Sequence, residues 1–65
     1  MKKTSVLLVD DHSVVRMGLA AIINIEEDLK VCGEAESGGE AVKLAREMRP
    51  DVVVMDFMMP GMVHE

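Results

Sequence analysis

The sequence has no tryptophan and no tyrosine, and Phe57 is its only aromatic residue. An aromatic-centred core is excluded. Seven methionines supply much of the large apolar volume instead, and methionine fills space adaptably but specifies a core loosely. There is one cysteine, Cys32, so no internal disulfide is possible, as suits a reducing cytoplasm. No apolar stretch approaches the roughly 20 residues that a membrane span needs. The basic start, Met1-Lys2-Lys3-Thr4, fails as a signal peptide because Asp10 and Asp11 end the apolar run that follows. Positive charge is also scarce: seven bases stand against twelve acids, for a net charge of −5. That balance argues against this segment gripping nucleic acid or an anionic membrane surface.

What is present is apolar and ordered in blocks. Hydrophobic residues make up 49% of the 65, too many for a disordered chain. A chain this short buries only about 60% of the surface its unfolded form exposes, so its core is marginal. Ser5 to Asp10 reads as a strand whose centre, Val6-Leu7-Leu8-Val9, is apolar without alternation, as in a parallel strand covered on both faces. Ser13 to Ile25 reads as a helix with Ser13 as N-cap and a stripe of Val15, Leu19, Ile22 and Ile23. Gly18 inside it suggests a close backbone contact with a strand. Leu29 to Ala35 is a second strand, weakened by Gly33. Ser37-Gly38-Gly39-Glu40 fits a capping box, and the helix it opens runs to about Met48, with a stripe of Ala41, Leu44, Ala45 and Met48. Pro50 stops that helix. Val52 to Met55 is a third apolar strand ending at Asp56, and Pro60-Gly61 marks a turn.

The order β-α-β-α-β implies a parallel sheet with right-handed crossovers. With the third strand beyond the first, the strand order is 2-1-3 and the helices fall on opposite faces. Ligands in such sheets bind beyond the carboxyl ends of the strands, at the switch between strands one and three. Asp10 and Asp11 end strand one and Asp56 ends strand three. Neighbouring strands run about 4.8 Å apart, so three carboxylates share one small pocket. Like charges that close raise each other's pKa unless a cation intervenes. Oxygen-only ligands with few carboxylates favour Mg²⁺, which shares its sphere with water and phosphate. A carboxylate there can attack a phosphoryl group and form an acyl phosphate. An Asp at a strand end is most often a turn or cap residue, and Asp11 could simply help cap the first helix. The combination argues for more: an Asp-Asp pair after one apolar strand, a second apolar strand ending in Asp, and Met59-Pro60-Gly61 three residues on.

Leu8-Val9-Asp10-Asp11-His12 and Met55-Asp56-Phe57-Met58-Met59-Pro60-Gly61 resemble the two N-terminal motifs of response-regulator receivers, the CheY-like fold. Arg16, Gly18 and Leu19, with Gly33-Glu34-Ala35 and Glu40-Ala41, are similar to the NarL/FixJ subgroup. The resemblance spans about residues 5 to 62. It implies an α/β fold, a partial doubly wound, flavodoxin-like parallel sheet. It also implies that Asp56 is the phosphoacceptor for a histidine kinase and that the module is not itself an enzyme. Asp11, Asp56 and the backbone carbonyl of Met58 would ligate Mg²⁺ directly, and Asp10 through water. A DNA-binding domain is expected downstream in a full-length relative.

The Ser or Thr that receivers carry after strand four, and the Lys after strand five, have no counterpart up to Glu65. Val63-His64-Glu65 also departs from the family's usual acidic residue or Asn followed by Gly. The expectation is an incomplete receiver domain over residues 1–65, truncated before strands four and five. It would self-associate through its exposed sheet edge, be partly molten, or depend on a partner chain. Alternatives are a truncated fragment that is never phosphorylated, acting only as an interaction module or without function, and a hydrolase. An aspartate-nucleophile phosphatase would want Asp-x-Asp where this chain has Asp56-Phe57-Met58. His12, His64 and Cys32 lack zinc-site spacing. His12 reads as a loop or first-turn residue, and Met55, Met58, Met59 and Met62 as packing residues.

Overall fold

A computed structural model describes residues 2–55. In chain order the elements are β1 (Thr4–Val9), α1 (Ser13–Ile25), β2 (Leu29–Ala35), α2 (Gly38–Met48) and β3 (Val52–Met55). The sheet is parallel, in the order β2-β1-β3, as the sequence predicts.

The central strand carries the core because, among the described residues, it alone has a neighbour on both edges. Leu7, Leu8 and Val9 are the large side chains that are fully buried, and Val6 is nearly so. Burial alternates by face. Leu7 and Val9 form the core with Ala35 and Ala41, and Leu44 and Ala45 of α2 pack against it. On the other face Leu8 lines a cleft with Val54 and with Val15 and Leu19 of α1. The two helices therefore cover opposite faces.

Between Val6 and Leu7 the pairing of β1 with β2 shifts by one residue: Val6 faces Val31, whereas Leu7 faces Gly33, which leaves Cys32 as the extra residue of a bulge. Gly33 is small for a reason visible here. A Cβ on it would lie 2.6 Å from Sδ of Met48, the last residue of α2. α2 ends as predicted. Arg49 takes a left-handed conformation, φ 49°, and its N–H donates to the Ala45 carbonyl, with Pro50 next. At the other end of β1, the Asp51 N–H donates to the Ser5 carbonyl at 3.0 Å. The Asp51 carboxylate accepts from the Ser5 N–H at 2.8 Å and from its hydroxyl at 3.0 Å. This pair pins the start of β3 to β1.

Three expectations change. The N-cap of α1 is His12, not Ser13, and no side chain caps that end. The turn before it is organised by Asp10, so Ser13 falls inside the helix. Val15 and Ile22 of the expected stripe are 48% and 62% exposed, while Leu19 and Ile23 are half-buried. The helix lies mainly over β2, and its other flank has nothing above it among the described residues. Gly18 makes no close approach, since a Cβ there would meet nothing within 4 Å. Among the described residues, no helix is long and apolar enough to cross a membrane.

Candidate functional site

The site is built where β1 runs into α1. Pairing with β2 continues one residue past the strand, because the Asp10 N–H donates to the Ala35 carbonyl at 3.0 Å. Asp10 is thus fixed and buried, the one buried charged residue among those described. Its Oδ1 accepts from the His12 N–H at 2.8 Å, a side chain closing a turn on the backbone two residues on. The His12 ring Nδ1 lies 3.1 Å from that same oxygen and 2.9 Å from Oδ1 of Asp11. One imidazole nitrogen therefore sits between two carboxylates.

Donor atoms of Asp10, Asp11 and His12 all lie within 4.8 Å of one another, the one such group among the described residues. The two carboxylates offer oxygen donors of the kind Mg²⁺ prefers. The His12 ring nitrogen lies within hydrogen-bonding distance of both of them. The Asp10 carboxyl is held below the usual carboxylate range. The main cause is the bond from the His12 N–H, which outweighs the opposing effect of burial. The His12 ring and the Arg16 charge act in the same direction as that bond.

Arg16 closes the site from the helix side. Its Nη1 donates to the Asp10 carbonyl at 2.6 Å and its Nε to Oε1 of Glu34 at 3.0 Å. Its side chain is only 16% exposed. In the sequence, Arg16 and Glu34 stand out only through the family resemblance, since their separation of 18 residues carries no local signal. His12 reads there as a plain loop residue. A cleft of about 340 Å³ lies beside the turn, lined in part by Asp10, His12, Leu8, Val54 and Met55.

Of the sequence-predicted site residues, Asp10 and Asp11 come together. Asp56, Met58 and His64 lie outside the described residues, as does the Pro60-Gly61 turn. Met55, the last described residue of β3, pairs with Val9, which immediately precedes Asp10. Cys32 lies in β2, away from His12.

Residues 6–63 match the family model of the response regulator receiver domain. The chain belongs to that family. It is 56% identical over 57 residues to the transcriptional regulatory protein LiaR of Bacillus subtilis, covering 88% of this chain and 27% of that protein. It is 52% identical over 56 residues to the response regulator GacA of Pseudomonas viridiflava, covering 86% of this chain and 26% of that one. The receiver of Thermotoga maritima CheB superposes with a TM-score of 0.87 at 47% identity, over 92% of this chain and 45% of that structure. The receiver of a putative NarL from Mycobacterium tuberculosis superposes with a TM-score of 0.88 at 34% identity, over 94% and 49%. The chain thus spans about a quarter of the length of these curated relatives and about half of the solved receivers.

Proposed function

We propose that the chain is the phosphoacceptor part of a receiver in two-component signalling, which in the complete domain takes a phosphoryl group from a histidine kinase onto Asp56. One observation carries the reading. The acidic turn, with Asp10 buried and Asp11 exposed, closes the carboxyl end of β1 beside β3, at the switch point of a β2-β1-β3 sheet. Asp56 follows directly on Met55, and Met55 is level with Val9.

In this reading a carboxylate oxygen of Asp56 attacks phosphorus. The phosphorus–nitrogen bond to the kinase histidine breaks, the imidazole leaves with the electron pair, and an acyl phosphate remains. Asp10, Asp11, Asp56 and the Met58 carbonyl would hold Mg²⁺. When bound, that ion neutralises charge on the transferred phosphoryl oxygens. In this reading the module accepts the phosphoryl group as the kinase's substrate and is not an enzyme with a substrate of its own. Incubation of an intact relative containing this segment with a small phosphodonor and Mg²⁺ should give hydroxylamine-labile phosphate on the wild type and none on Asp56→Asn. Normal labelling of Asp56→Asn would overturn the assignment.

We read residues 1–65 as one incomplete receiver domain, because the chain spans 45% of a solved receiver that it otherwise follows closely. Val52 to Met55 are all exposed, between 39% for Val54 and 45% for Met55, on a strand with one neighbour among the described residues. An apolar edge strand of this kind pairs with further chain, and a second copy is the occupant we propose. Sedimentation should show oligomers that Val53→Lys disperses. A monomeric wild-type chain would remove this part of the reading. A net charge of −5 leaves nucleic-acid binding to other parts of a longer protein and gives no affinity for anionic membranes. The cytoplasm is the compartment the reading implies.

A further inference from the structure

We propose that Arg16, held by Glu34, is a positioning residue that aims the Asp10-Asp11 turn at its cation; the inference rests on the Mg²⁺ reading above. The carbonyl that Arg16 grips belongs to the planar peptide unit joining Asp10 to Asp11. Fixing that oxygen at 2.6 Å fixes the plane, and the plane sets the direction in which Asp11 leaves the strand. The grip is itself anchored. Nε of the same guanidinium bonds Glu34 at 3.0 Å, and Glu34 pairs with Leu8 on β1, two residues before Asp10. One side chain from the first turn of α1 thereby ties together β1, β2 and the turn between β1 and α1.

No side chain caps that helix end. A guanidinium suits the task because its donors are fixed in one plane and stay charged. A lysine is a single flexible point charge and cannot hold both acceptors in the same geometry.

A purely electrostatic role for Arg16 makes the opposite forecast. Its positive charge acts on the Asp10 carboxylate, so as a charge alone it opposes cation binding, and removing it would tighten the site. As a positioning residue its removal loosens the turn and weakens the site.

Mn²⁺ titration of the 65-residue chain, followed by electron paramagnetic resonance, separates the two. Loss of outer-shell support costs a metal site about tenfold or more in affinity. Arg16→Lys, which keeps the charge, and Arg16→Ala should each weaken Mn²⁺ binding about tenfold, and Glu34→Ala by less. Circular dichroism checks that the helices persist. If Arg16→Ala unfolds, Arg16→Lys carries the test. Unchanged or tighter binding in folded Arg16→Lys overturns the proposal.

A second readout does not involve the metal. The His12 amide, bonded to Asp10 Oδ1, should exchange with deuterium about tenfold faster in Arg16→Lys, while amides in the Leu7-Val9 core stay as slow as before. Unchanged exchange at His12 also overturns the proposal. If the wild-type chain takes up no Mn²⁺, the metal reading falls, and the His12 amide alone decides whether Arg16 positions the turn.

Discussion

Helix α2 has an N-cap in Ser37, a left-handed stop at Arg49, and a buried residue, Ala41, set against Leu7, Val9 and Ala35. Helix α1 has none of these: no side-chain cap, no buried residue, and Val14, Met17, Ile22 and Ile25 more than half exposed. Both pack on the same sheet, from opposite faces, and α1 lies mainly over β2. α2 is held by packing. α1 is held by polar ties, Arg16 to the Asp10 carbonyl and to Glu34, and Asn24, whose Oδ1 accepts from the Val31 N–H at 3.0 Å. The difference divides labour within one small sheet, with stability on the α2 face and the acidic turn on the α1 side.

The largest expected effect tests that division directly. Leu7→Ala removes a fully buried side chain from the α2 face and should cost about 2–5 kcal/mol. Ile22→Ala, on the outer side of α1, should stay within about 0.5 kcal/mol. Urea unfolding at one fixed protein concentration measures both. Comparable costs would mean that α1 packs as tightly as α2, and the comparison would fail.

Next in size is the acidic turn. Asp11 is a third exposed and faces the His12 ring, so it contributes little packing. Asp11→Asn should leave the urea midpoint almost unchanged and weaken Mg²⁺ binding at least about tenfold, or 1.4 kcal/mol. Calorimetric titration of the two chains gives the number. Equal affinities would remove Asp11 from the cation site and leave the turn a purely structural device.

The helix starts sharpen the contrast further. Ser37 Oγ accepts from the Glu40 N–H at 3.2 Å, so Ser37→Ala should cost about 1 kcal/mol. Ser13 already lies inside α1 and makes no cap, so Ser13→Ala should be near neutral. Thermal melts of the pair decide it. A loss at Ser13 matching that at Ser37 would return the N-cap of α1 to Ser13.

The same asymmetry explains how far the sequence could be read. Strand order, helix bounds and the end of α2 were legible because they rest on local patterns: an unbroken apolar run at Val6 to Val9, a Ser-x-x-Glu box, a proline. Even there the box is imperfect, since Glu40 reaches back to the Glu36 N–H, not to that of Ser37. Asp10 and Asp11 were legible as strand-end acids.

The α1 side was read less well. Its apolar spacing predicts a buried stripe, yet periodicity reports which residues share a face and not whether anything covers it. Ser13 has the chemistry of a cap, but the Asp10 side chain closes the turn first and the N-cap falls on His12. The Arg16 tie joins residues far apart in sequence, so no local pattern reveals it.

The smallest expected effect lies at the other end of the sheet and depends on pH. Asp51 is held below the usual carboxylate range, first by the Ser5 N–H and then by the Ser5 hydroxyl, with a small contribution from Lys2. Its pKa is lowered in the folded chain, so the unfolded chain takes up a proton first as pH falls. The contribution is therefore present above about pH 4, the ordinary range of an aspartate, and is lost as pH drops through the lower folded value. Asp10 is shifted the same way and titrates in the same direction, so Asp51 must be isolated by substitution. Asp51→Asn keeps an acceptor for Ser5 but has no proton to gain. Melting temperatures of the wild-type chain should fall between pH 5 and pH 3, and those of Asp51→Asn should fall less, because the Asp51 contribution is then gone. The difference should be small, since Asp51 is exposed and water screens it. Parallel pH profiles for the two chains would show that the Ser5–Asp51 pair holds β3 through its backbone bond alone.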